Sequence, residues 1–586
     1  MELFLQTLLN GILASGVYAL VASGLALSVG VVGIVNFAHG EFLMIGAFTS
    51  YLLFVTRGLD PLLALGLAAL AAFVVGALVY HGLLRPILLA PELNQMLLTF
   101  GLSVLLQNLA LLLFGADTRV VAPAYQGNAI RLGPFSLGVV PLGAFALSAL
   151  LLLLLHLFLR RSRLGLAIRA VAQNRLAPGL LGIELHRVYL LAFGLSAALA
   201  GVAGAMLFVM LPRQPHCRVR LHAEGLCHRS HGWPGKPDRG ALGSPPPGGG
   251  RDGGKHLPPR GRGMGGGGLF PGHLSKPPLP KLRGSGRMGV LALLLLAGLL
   301  PHLPLGEWRA FLLDTAQFAF LITALAVSWD LLARTGQLSL AHGAFFGLGA
   351  YAAGLTASGL GPLLALGVGM GVAALSSLAL GLSTLRLHGI YFAIATLAFS
   401  EVVRTLVLKA PFTGGPIGLP VPPAFPGLPL GGYYLAFSAL LLAVAVSLGL
   451  ARSRLAYAQA ATRQGEAVAR VLGVPVVRVK LVSFLLSSAL AGLAGGVYAF
   501  KTLFLTPYDA FGLGRAVEAL VIPIFGGLYT TLGPVLGGFL LVGVETALRL
   551  WIGEGYLAVY GALLILAILF LPKGLVGLLG GKRGAA

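Results

Sequence analysis

The sequence predicts an all-α integral membrane protein made of two homologous multi-span helical bundles, and three observations carry that expectation. Of 586 residues, 57% are apolar and only 10% charged, whereas an ordinary soluble domain carries about 25% charged residues. Apolar runs long enough to cross about 30 Å of hydrocarbon recur throughout, and inside lipid a helix satisfies its own backbone polar groups. The two parts of the chain also match each other in register, polar positions included, which is the mark of a duplicated unit.

The first bundle is expected over 1–211, with spans near 8–30, 36–56, 62–84, 93–114, 136–159 and 188–211. The start of the chain lacks a strongly basic leader with a small-residue cleavage site, so 8–30 reads as a retained first span. Gly, Ala and Ser are dense within these runs, as expected where helices pack closely in lipid. The second bundle is expected over 288–586, with runs at 289–302, 312–334, 341–358, 360–382, 388–408, 432–450, 480–502, 519–546 and 554–572. The run at 289–302 is short for a span.

Between the bundles, 212–287 reads as a low-complexity linker crowded with Gly, Pro, Arg and His, with no helical or strand period. The chain's two cysteines, Cys217 and Cys227, both fall here. Read one nucleotide later, the codons force Trp233-Pro234 to Gly, restrict His231-Gly232 to Met or Thr, and restrict Cys227-His228 to Val or Ala. With suitable free bases, 224–244 then spells KAFVIAVMGGLGSLTGALLG, beside EALVIPIFGGLYTTLGPVLGG at 518–538. The segment is therefore read as a frameshifted remainder of the last spans of the first bundle, and Met288 as the start of a separate unit.

The formal charge of +23 does not indicate nucleic acid, because aromatic interleaving is missing and many arginines sit in short breaks between apolar runs. Such arginines set topology by facing inward. The clearest pair of breaks is RSRLGLAIRAVAQNRLAPGLLGIELHRV, opening at Arg161, and RSRLAYAQAATRQGEAVARVLGVPVVRV, opening at Arg452; they align without a gap and run on in register into the following spans. Each reads as a short amphipathic helix stopped by a glycine, Gly182 or Gly473, able to take a left-handed helix-ending conformation. Arg161, Arg163, Arg169 and Arg187, with Arg452, Arg454 and Arg478, carry forks suited to carboxylates or main-chain carbonyls.

A second repeated motif is GIVNFAHGEF at 33–42, returning as GQLSLAHGAF at 336–345. His39 and His342 each lie between a glycine-bearing turn and a small-residue helix. Neither catalysis nor zinc fits: Glu41 in the first copy is Ala344 in the second, and further ligands at close spacing are missing. A helix break or interbundle hydrogen bond is the favoured reading, with a place beside the solute route left open. Asn36, His39, Gly40, Glu41, Thr99, His342, Gly343, Thr396 and Glu401 form this candidate group, Thr396 aligning with Thr99. Other polar residues inside apolar runs are Gln95, Asn108, Asp330, Arg404 and Glu518, and such residues are costly against lipid. Glu401 and Arg404 are one helical turn apart and can pair.

Several stretches then resemble a known family. NGILASGVYALVASGLALSVGVVGIVNFAHGEFLMIGAF at 10–48 resembles the opening of the first permease subunit of bacterial branched-chain amino acid ABC transporters. TGQLSLAHGAFFGLGAY at 335–351, GIYFAIATLAFSEVVRTLV at 389–407 and TGGPIGLP at 413–420 resemble the second. Coverage is nearly complete for the second subunit and stops near 211 for the first.

The resemblance implies ATP-driven import of Leu, Ile and Val across the inner membrane, by a chain that itself binds no cofactor. It implies two cytoplasmic ABC ATPase subunits that use ATP and Mg and dock on the arginine-bearing segments, and an extracytoplasmic amino-acid-binding protein. TGGPIGLP reads as an extracytoplasmic loop whose glycines and prolines set a tight shape; plain turn formation is the favoured reading and docking of the binding protein the alternative. No GxxxxGKS or GxxxxGKT phosphate loop occurs in the chain. A urea or short-amide permease and a passive channel or noncatalytic scaffold stay open as alternatives.

Overall fold

The computed structural model describes residues 2–210 and 284–579, apart from 89, 116–122, 124, 134, 175–177, 179–181, 305, 388, 429, 554 and 572–573. All of them belong to one compact unit. The segment read as out of frame lies outside the described residues as far as 283.

The first bundle comprises α1 (Glu2–Leu27), α2 (His39–Arg57), α3 (Leu65–Val79), α4 (Glu92–Phe114), α5 (Val139–Arg161), α6 (Arg163–Gln173) and α7 (Leu185–Met210), with a small antiparallel hairpin of β1 (Ala129–Leu132) and β2 (Phe135–Gly138) before α5. After α8 (Gly284–Leu299), which crosses the boundary expected at 288, the order repeats: α9 (Arg309–Ala333), α10 (His342–Leu360), α11 (Pro362–Thr384), α12 (Ile390–Lys409), α13 (Gly431–Ala451), α14 (Arg454–Gln464), α15 (Glu466–Val471) and α16 (Val476–Thr502). The second bundle continues through a single turn, α17 (Pro507–Ala510), then α18 (Leu513–Gly526), α19 (Leu532–Ile552), α20 (Tyr556–Phe570) and α21 (Gly574–Leu579). Two-residue strands, β3 (Leu419–Pro420) and β4 (Phe504–Leu505), pair antiparallel.

Twelve helices among the described residues are long and apolar enough to cross a membrane. One expected run is corrected: 519–546 is not a continuous span but two helices, α18 and α19, broken at Gly527. They fold back on each other, since a Cβ on Gly526 would meet the carbonyl of Gly533 and one on Gly537 would meet that of Ile522. Pro523 inside α18 and the positive φ of Gly527, 128°, end the first helix there.

The long helices α7 and α16 form the pillar of each bundle, packed between α2 and α3 or between α10 and α11. Small residues make this approach possible. A Cβ on Gly204 would strike the Leu43 carbonyl of α2, and one on Gly495 would strike the Phe346 carbonyl of α10; Gly46 meets Gly201 as Gly349 meets Gly492. The duplication is thus legible down to individual backbone contacts, which van der Waals packing in lipid favours.

Candidate functional site

Three parts of the fold concentrate the sequence-predicted residues. The first is the pair of helix breaks. In the first bundle, the last turn of α1 widens so that the N–H of Gly33 donates to the Ser28 carbonyl at 3.1 Å, with Gly33 at φ 78°. The Asn36 side chain accepts the Ala38 N–H at 3.0 Å, and Thr99 of α4 accepts the Phe37 N–H at 3.2 Å. In the second bundle Gly336 turns the chain at φ 85°. Ser339 accepts the Ala341 N–H at 3.1 Å and Thr396 of α12 accepts the Leu340 N–H at 2.9 Å. Thr99 and Thr396 are both fully buried. Each supplies the acceptor that a broken helix leaves wanting in lipid.

Both histidines open the helix after the break and are buried. His39 Nε2 donates to the Val21 carbonyl of α1 at 3.2 Å. His342 Nε2 lies 2.6 Å from Ser487 Oγ of α16, whose own proton goes to the Ser328 carbonyl at 2.7 Å. That commitment makes the imidazole the donor, with the proton on Nε2. Each histidine therefore ties the break to a neighbouring span. Gly343 allows α10 to approach the start of α18, a Cβ there lying 3.2 Å from the Ala516 nitrogen; Gly40 is half-buried beside His39.

The acidic residues of the group diverge between the copies. Glu41 is buried, and its Oε1 accepts from Ser103 Oγ at 2.9 Å and from Gln107 Nε2 at 2.8 Å, both on α4. Glu401 stands on the outer face of α12 and pairs with Arg404 at 2.6 Å. Gln95 and Asn108 satisfy backbone: Gln95 Nε2 donates to the carbonyls of Ile87, Leu88 and Ala90, and Asn108 Nδ2 to that of Val104 at 2.8 Å.

The second part is the pair of arginine-bearing segments. In α6, Ser162 caps the start by accepting the Gly165 N–H at 2.8 Å. Gly182 at φ 78° and Gly473 at φ 83° take the left-handed conformation. In both copies the next N–H reaches back five residues, Ile183 to the Pro178 carbonyl at 3.1 Å and Val474 to the Ala469 carbonyl at 2.9 Å, a helix-ending bond that needs such a glycine. The second segment is not one helix, as read from sequence, but two, α14 and α15, parted at Gly465. Arg161, Arg163, Arg169, Arg187, Arg452, Arg454 and Arg478 all project outward; Arg187 pairs with Glu184 at 2.6 Å.

Sequence reading did not foresee the apolar knob at the tip of the second segment, where Val468, Val471 and Leu472 are exposed, Val471 by 87%. It also missed the anchors beneath it. Buried Lys480 of α16 pairs with Glu466, and Gln459 Nε2 donates to Ser483 Oγ at 2.8 Å. These partners are distant in sequence, so no local period announces them.

The third part is the seam between the bundles, formed chiefly by α4 and α20. A Cβ on Gly561 would lie 2.9 Å from the Gly101 carbonyl, and one on Gly101 would lie 3.2 Å from Ile565. Asn94 and Leu97 of α4 face Ile524 and Phe525 of α18 at one end of this seam.

The family model described as the branched-chain amino acid transport system permease component matches the chain twice, over 7–224 and 311–569. The chain belongs to this permease family. Among curated relatives, it is similar to the high-affinity branched-chain amino acid transport system permease protein BraD of Pseudomonas aeruginosa, 33% identical over 35% of this chain and 70% of that protein. It is likewise similar to LivH of Escherichia coli K12, 33% identical over 35% of this chain and 70% of LivH, and to LivM of the same strain, 31% identical over 43% of this chain and 67% of LivM. No solved structure matches. The permease unit thus occurs twice in a single multi-pass inner-membrane chain, and its two copies are the two bundles.

Proposed function

We propose that the two permease bundles enclose a route for branched-chain amino acids along their seam, and that separate cytoplasmic ATPase subunits drive the route between outward and inward access. The observation that carries this reading is the exposed apolar tip of the second arginine-bearing segment, with Val471 and Leu472 bare and Arg470 and Arg478 exposed on the same stretch of chain. An apolar patch with a charged rim outside the membrane calls for a protein partner. In each segment a left-handed glycine, Gly182 or Gly473, turns the chain toward the following span, so that a push on the segment is passed to that span.

On the opposite side, the TGGPIGLP loop supports docking of an amino-acid-binding protein. Gly414, Gly415 and Gly418 hold positive φ, Thr413 donates to the Val407 carbonyl at 2.6 Å, and Phe412 and Ile417 are exposed. On this reading residues 212–287 are largely the out-of-frame remainder of the first bundle, and a frame-restored, two-polypeptide version should transport at least as well as the fused chain.

The deciding experiment is leucine uptake into proteoliposomes holding the chain, its ATPases and the binding protein, with urea as control solute. ATP-dependent leucine uptake that falls at least tenfold in V471D/L472D is expected. Full-rate flux without nucleotide, or ATP-driven urea uptake in place of leucine, overturns the reading.

A further inference from the structure

We propose that Arg463 and Tyr529 form a one-sided linkage that passes movement of the second coupling segment to the α18–α19 hairpin and so to the seam between the bundles. The proposal rests on the coupling role given above to the arginine-bearing segments, and goes beyond it by making the two segments unequal.

The linkage has a moving half and a fixed half. Arg463 stands near the end of α14, and its guanidinium lies 3.8 Å from the centre of the Tyr529 ring. A cation over an aromatic face is attractive but tolerates sliding, unlike a directed ion pair. Both side chains are partly open to solvent. No side chain intervenes between α14 and the turn after α9: a Cβ on Gly336 would sit 3.3 Å from the Arg463 Cα.

The fixed half rests on buried groups. Tyr529 lies in the loop joining α18 to α19 and holds φ at 63°, a left-handed conformation that a tyrosine keeps only when neighbours impose it. Its N–H donates to Asp330 Oδ1 at 2.7 Å. The other oxygen of Asp330 takes Arg334 Nε at 3.0 Å. Arg334 Nη2 then reaches Ser447 Oγ of α13 at 2.7 Å and Thr531 Oγ1 at 3.3 Å, and these two hydroxyls lie 2.7 Å apart. The Asp330 and Arg334 side chains are 1% and 8% exposed, so separating them strands a charge away from water. They form a seat on which the hairpin loop is held while Arg463 moves its outer face.

The last turn of α18, next to the Tyr529 loop, completes the path, because Ile524 and Phe525 face Asn94 and Leu97 of α4. The first bundle carries none of the equivalent groups on its described helices. Leu27 and Val31 occupy the places of Asp330 and Arg334, and Ala172 that of Arg463.

The test measures leucine taken up per ATP hydrolysed by the full chain reconstituted with its ATPases and binding protein. R463A and Y529L are expected to retain ATPase binding and nucleotide hydrolysis while the uptake ratio falls at least fivefold; Y529F, which keeps the ring, stays within twofold of the parent. The proposal is overturned if R463A and Y529L keep the parental ratio, or if Y529F falls as far as Y529L. V471D/L472D separates the two levels of the argument. If it leaves ATPase assembly intact, the coupling reading falls and the linkage with it; if it releases the ATPases while R463A and Y529L keep the parental ratio, the linkage alone falls.

Discussion

Helices α4 and α12 are the same element in two copies, yet they live in different surroundings. Aligned on Thr99 and Thr396, Leu97 falls on Ile394, Gly101 on Ala398 and Gln107 on Arg404. The break-capping face is preserved, since both threonines are buried and receive the equivalent N–H. The opposite face differs. Leu97 and Gly101 are buried against α20 and its neighbours, whereas Ile394 is 54% exposed and Ala398 is open as well. The face that caps the break is the same in both copies, and partner contact decides the other.

Six substitutions break or sharpen this comparison. The largest effect is expected where both copies are alike: G204I or G495I drives a side chain into the backbone of α2 or α10, an overpacking that nothing flexible absorbs. Neither variant should accumulate in membranes, as read by immunoblot of membrane fractions. Next, G101L pushes α4 from α20 and should lower leucine uptake at least tenfold, while A398L in the same assay changes it less than twofold. Equal loss from both would mean that α12 is covered too.

A smaller effect belongs to the acidic residues. E41A removes the acceptor shared by Ser103 and Gln107, leaving them their mutual bond at 3.1 Å, and should cost about 1–3 kcal/mol, the usual penalty for unmaking buried hydrogen bonds; thermal unfolding in detergent reads it. E401A removes a partly exposed helical pair and should shift the same unfolding by less than about 1 kcal/mol. A reversal of that order would place Glu401 in a covered interface.

Much of this contrast was legible in the sequence because it is local. Hydropathy gives the spans, and the in-register recurrence of Gly182 with Gly473 and of His39 with His342 exposes the duplication. The left-handed glycines follow from chain chemistry. The break inside 519–546 escaped because apolar residues on both sides of Gly527 read as one run, although the Gly-Gly pair and Pro523 were the signal. The Asp330, Arg334, Ser447 and Thr531 group was out of reach for another reason. Its members come from α9, α13 and the start of α19, and only tertiary packing brings them within hydrogen-bond distance. Sequence marked Asp330 as costly in lipid without showing what offsets the cost.

The meeting of Gly101 with Gly561 has a mechanical consequence. Two helix backbones that meet at glycines come closer than side chains would allow. If one bundle rolls on the other, such a contact is where the fewest side chains would have to rearrange. The contact is suited to serve as the pivot of a rocking machine, with large residues such as Ile565 and Leu112 on its flanks limiting the swing.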